Sequence, residues 1–128
     1  MGRQQDPVLV VTPVERAPGP ATPGMDRQEA FATPETWSGI VRTEPGMISG
    51  WHHHGDYESV IYVLTGALRM EFGPGGSNIV DAGPGDFLCV PKGAVHRESN
   101  PSADPADLVV FRAGTGESTF NVAGPAQP

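Results

Sequence analysis

The chain has 128 residues, of which 17 are Gly and 14 Pro, and its formal net charge is −7. Length argues for one domain, and so many helix-breaking residues exclude a helical bundle. The bases are seven scattered arginines and Lys92, so there is no basic stripe for a nucleic acid or an anionic membrane.

No apolar stretch approaches the ~20 residues of a membrane span. The polar start Met1–Asp6 carries no apolar signal core. A single cysteine, Cys89, cannot form an internal disulfide and fits a reducing compartment. These features read as a soluble, acidic, cytoplasmic, single-domain β protein.

In chain order, residues 1–36 read as an N-terminal strand and Pro-rich arm. Val8–Val11 offers an edge strand, and Pro13, Pro18, Pro20, Pro23 and Pro34 mark an arm or mobile tail in place of a packed layer. Within it, Met25–Ala30 is read as one helical turn. From Trp37 the sequence reads as strands, which place the barrel at residues 37–122. Ser59–Leu64 is nearly all apolar, so both its faces are expected to be covered.

Ala67–Phe72 alternates, with Leu68, Met70 and Phe72 on one face and Arg69 and Glu71 on the other. Phe87–Val90, Leu108–Phe111 and Thr119–Val122 complete the strand set. Gly66, Pro74–Ser77 and Ala82–Gly85 supply the turns, and residues 123–128 read as a flexible tail. Short strands at this spacing predict a closed or nearly closed antiparallel barrel or jelly roll.

Chemistry concentrates at the histidines. Three are consecutive (His52, His53, His54), and His96 is the fourth. Residues i and i+2 on a strand share a face, so His52 and His54 point into one interior and His53 points away. Asp56 and Glu58 follow closely enough to supply a carboxylate.

Gly46, His52, His54, Glu58 and Gly66 form one block, and Gly85, Pro91, Gly93, His96 and Asn100 a second. This arrangement resembles the two sequence blocks of the cupin superfamily over roughly residues 38–122. The resemblance implies an all-β fold, a single RmlC-like antiparallel jelly-roll barrel. It also implies one divalent metal ion per chain, held by His52, His54, Glu58 and His96. Family members with this block length carry their glutamate one position later, which here is Ser59. Either a bulge brings Glu58 inward, or Asp56 substitutes, or three histidines bind the metal with water.

Tyr57 and Tyr62 are candidate catalytic proton donors in the cavity. Trp37 and Trp51 read as packing or contact residues, and one inward arginine among Arg42, Arg69 and Arg112 could hold a substrate carboxylate. Cys89, in an apolar strand, reads as a buried small hydrophobe.

The resemblance leads to a metal-dependent enzyme acting on a small organic substrate. Fe(II) oxygenase-type activity comes first. A redox-silent Zn(II) or Mn(II) cyclase, isomerase, rearrangement enzyme or lyase comes next, and a barrel that binds without turnover third. Small cupins of this kind include tailoring enzymes of bacterial secondary metabolism. They commonly pair, so a twofold homodimer is expected.

Overall fold

The computed structural model describes residues 7–20 and 22–126. Among the described residues, eleven strands form two sheets. They are β1 (Ala17–Pro18), β2 (Met25–Ala32), β3 (Thr36–Thr43), β4 (His52–His53), β5 (Glu58–Thr65), β6 (Leu68–Phe72), β7 (Asn78–Ala82), β8 (Phe87–Val90), β9 (His96–Ser99), β10 (Ala106–Ala113) and β11 (Phe120–Asn121). One sheet runs β1-β2-β3-β10-β5-β8 and the other β11-β4-β9-β6-β7. Strand pairings are antiparallel, as in a jelly roll. Among the described residues, no helix is long and apolar enough to cross a membrane.

Period-2 alternation builds the core. On β5, Ser59, Ile61 and Val63 are buried, while Val60 and Tyr62 on the other face are only half-buried. Val41 of β3, Leu88 and Val90 of β8, and Leu108 and Val110 of β10 join them, facing Leu68 and Met70 of β6. The outer face of Ser59–Leu64 is therefore not fully covered as expected: Leu64 is 44% exposed.

The N-terminal segment departs most from its sequence reading. Met25–Ala32 is a full strand in place of a helical turn, paired along β3 from Met25↔Thr43 to Ala32↔Trp37. Between Gly24 and Pro34 the chain holds no proline. The inward positions Arg27 and Glu29 are polar, which hides the alternation from a hydrophobicity pattern. Each inward group has a partner: Arg27 donates to Thr22 Oγ1 (2.7 Å) and Pro20 O (3.2 Å), and Glu29 accepts from Trp37 Nε1 (2.8 Å).

Close approach here requires glycine at position 39, where a Cβ would overlap Gln28 O. The expected edge strand at Val8–Val11 is absent. Those residues carry no regular structure, and β1 takes the sheet edge. Residues 1–6 of the arm and 127–128 of the tail lie outside the described residues.

Candidate metal centre

The site is built where β4 and β9 place His52 and His96 directly opposite each other. His54 follows two residues after His52 and shares its face, so all three rings are buried. Ring centroids lie 4.4 to 5.1 Å apart, and one ligand nitrogen from each falls within 4.8 Å of the others. His53 points away and stacks on Phe120 at 4.9 Å. A hydrogen bond from Gly93 N to Gly55 O (2.9 Å) ties together the two loops that flank the histidines.

Backbone carbonyls fix the protonation of the rings. His52 Nδ1 lies 2.8 Å from Gly50 O, His54 Nδ1 2.7 Å from Ser118 O, and His96 Nδ1 2.9 Å from Ala94 O. A carbonyl can only accept, so each Nδ1 carries the proton and donates it. In the neutral ring each Nε2 then keeps a free lone pair, the form a metal ligand needs. Burial pushes the pKa of His54 down to about 3 and lowers that of His96, which keeps both rings neutral. His96 Nε2 is buried with no hydrogen-bond partner among the described residues. A buried nitrogen of this kind is costly unless something outside the chain binds it. The donor set thus fits a divalent metal ion.

The carboxylate is not where Glu58 was expected. Glu58 is exposed and Ser59 is buried, because a one-residue step on a strand reverses the face. Asp56 is also exposed, 3.6 Å from Lys92 Nζ. Instead, Glu98 on β9 reaches the site, buried with Oε1 3.6 Å from His52 Nε2. Its signal was the two-residue step from His96, readable once His96 was placed on a strand.

Of the two tyrosines, Tyr62 lies on the outer face of β5, its ring 4.7 Å from that of Phe87, and cannot serve the cavity. Tyr57 is half-buried in the turn ahead of β5 and donates its N–H to His54 O at 3.0 Å. Cys89 is exposed on the outer face of β8, where sequence placed it in the core.

His96 and His54 border two unlike compartments. On the His96 side, Met70, Phe72, Leu88, Val90 and Ala94 line an apolar groove of about 460 Å³, open between the edges of β7 and β8. This is within the range of small-molecule sites. On the His54 side, Arg27, Ser59, Glu98 and Arg112 meet apolar side chains such as Val41, Ile61 and Leu108 around a small mixed recess of about 20 Å³, close to the volume of one water. Arg112 is the inward arginine, on the same face of β10 as Leu108 and Val110. Arg42 and Arg69 face outward toward Asp107 and Asp81.

Comparison with known proteins agrees with this architecture. The cupin domain profile matches residues 39–112. The uncharacterized protein YdbB of Bacillus subtilis (strain 168) is 40% identical over 47 residues, which span 37% of this chain and 40% of that protein. KdgF from Halomonas sp. superposes with a TM-score of 0.68 at 21% identity, covering 84% of this chain and 94% of KdgF. Oxalate decarboxylase OxdC of Bacillus subtilis, a protein with Mn(II) centres, gives a TM-score of 0.69 at 21% identity, covering 85% of this chain and 30% of OxdC.

Proposed function

Because the chain belongs to the cupin domain family, we propose that it is a metal-dependent enzyme acting on a small organic substrate, with one divalent ion per chain held by His52, His54 and His96. The observation that carries this reading is the convergence of three buried imidazoles on one point, with His96 Nε2 unpartnered among the described residues. A bound divalent ion would supply a Lewis-acid centre with open positions, and a redox couple where it is iron.

The chain's own residues set what such a centre is suited to. The three histidines bring no negative charge, and the inward position that would hold a glutamate is Ser59, beside the Arg112 guanidinium. An ion here would meet one carboxylate, Glu98, set against Arg27 and Arg112, and would act chiefly by polarising a bound oxygen. Redox-silent catalysis by Zn(II) or Mn(II), of the isomerase, cyclase or lyase type, is the reading this geometry supports best. Glu98, buried beside His52, is placed to move a proton in such a reaction.

Fe(II) oxygenase-type activity is the second reading. It is favoured by the apolar groove at His96, which would hold an apolar substrate and dioxygen out of bulk water.

Chelator-stripped protein reloaded separately with Zn(II), Mn(II) and Fe(II) separates these readings. A panel of small hydroxy and keto acids would be followed by proton NMR and by an oxygen electrode. Turnover with zinc or manganese and no oxygen uptake is expected. Oxygen uptake confined to the iron form would transfer the assignment to the second reading. No turnover in any form would leave a barrel that binds only.

A further inference from the structure

We infer that Arg112 forms an anion subsite beside the three-histidine centre, and that the ligand of this cavity is an organic acid. Its carboxylate lies between the histidines and Arg112, and its apolar body lies in the groove at His96. This inference rests on the site assigned under Proposed function and specifies the ligand class that site takes.

The arginines of this chain differ in how their guanidinium groups are used. Arg69 and Arg97 each form a two-pronged pair with a carboxylate, on Asp81 and Glu71 respectively. Arg42 lies 3.6 Å from Asp107, and Arg27 spends its donors on Pro20 O, Thr22 Oγ1 and Met25 Sδ. Arg112 faces the interior, yet among the described residues it makes one long hydrogen bond, from Nε to Ser59 Oγ at 3.4 Å.

A guanidinium has five N–H donors in a planar fork that matches a carboxylate. The four N–H groups of the two terminal nitrogens of Arg112 have no protein acceptor among the described residues. Its group lies 5.8 Å from the centre of the Trp37 ring, a cation–π contact that steadies the fork without using its donors.

Charge points the same way. Among the charged groups of the recess, two arginines, Arg27 and Arg112, stand against one carboxylate, Glu98. The recess is therefore positive even without a metal, and a divalent ion would add to the imbalance. Burial and the like charge of Arg27 both push the pKa of Arg112 down, a penalty that an arriving anion would offset.

Size separates the two ends of the ligand. About 20 Å³, room for about one water, admits one oxygen of a carboxylate, whereas the groove at His96 has about 460 Å³ and apolar walls. Arg112 and His54 line the same recess, which sets the guanidinium beside a group bound at the histidines.

Calorimetric titration of the full chain with phenylacetate and with its neutral isostere phenylacetamide tests this, in metal-loaded and chelator-treated protein. Phenylacetate is expected to bind at least tenfold more tightly than the amide. Arg112→Gln is expected to erase that preference while circular dichroism and metal content stay at the wild-type level. Equal binding of acid and amide, or a preference that survives in Arg112→Gln, would overturn the inference.

If that variant does not fold, the Arg112 Nε–H resonance of the wild-type protein decides. It should move on adding the acid and stay in place with the amide, and an unmoved resonance overturns the subsite. Failure of the metal reading looks different. An Arg112-dependent acid preference in protein that takes up no metal would sustain the subsite and remove the metal, while metal uptake without acid preference would do the reverse.

Discussion

Ser59 accepts a hydrogen bond from Nε of Arg112 at 3.4 Å, inside the barrel and beside His54. The neighbouring Glu58 is exposed. A cation thus faces the histidines where an acidic side chain at position 59 would have supplied an anion. With Glu58 turned outward by this one-residue register, Glu98 is the carboxylate that remains at the centre.

Replacing Ser59 by Glu puts a carboxylate at the inward position. The variant is expected to bind Mn(II) at least tenfold more tightly in competition with a chelator. Glu58→Gln alters an exposed side chain and is expected to change that affinity less than twofold, with a stability change within about 0.5 kcal/mol. A large loss of metal in Glu58→Gln would contradict the placement of this residue.

Stability of the metal-free protein should fall in acid. His54 is held neutral down to about pH 3 by burial, whereas in the unfolded chain it takes up a proton near pH 6.5. Between these values the unfolded state binds more protons, so stability rises with pH across the window and is lost as pH falls below about 6.5. The slope is at most about 1.4 kcal/mol per pH unit for each such histidine, and His96 is shifted in the same direction. Urea midpoints of chelator-treated protein measured at several pH values between 4 and 7 check this. A midpoint independent of pH would contradict it.

The second strand should carry weight in the fold. Gly39→Ala places a methyl group against Gln28 O, which the β2–β3 pairing leaves no room for. A loss of roughly 1–3 kcal/mol is expected, the usual range for overpacking, read as a lowered melting temperature. An unchanged melting temperature would return Met25–Ala32 to the role of a loose arm.

Cys89 should be reactive in the native state. Its side chain is exposed on β8 at the rim of the apolar groove. An aromatic disulfide reagent is expected to label one thiol per chain without denaturant. A requirement for denaturant would contradict the outward orientation of Cys89.

Much of this architecture is legible in the sequence. Strands β5, β6, β8 and β10 announce themselves by alternating or continuous apolar runs, and the two histidine blocks fix their order. The rest is hidden for identifiable reasons. β2 turns Arg27 and Glu29 inward, and β7 exposes four of its five residues, so neither shows a hydrophobic period.

Glu58 and Ser59 are adjacent, and the turn before them decides which one enters the barrel. A sequence pattern alone leaves that register open. Glu98 escaped notice because its meaning depends on His96 starting a strand, and the open fork of Arg112 is visible only when Arg27, Arg42, Arg69 and Arg97 have been given their partners.

Elemental analysis of untagged protein purified without chelators, beside His96→Ala, tests the central claim most directly. His96 Nε2 is the buried nitrogen left without a partner among the described residues, and its removal breaks the three-histidine set. The account predicts about one divalent ion per chain in the wild-type protein and its loss in the variant. Trace metal in both proteins, or equal metal in both, would contradict it.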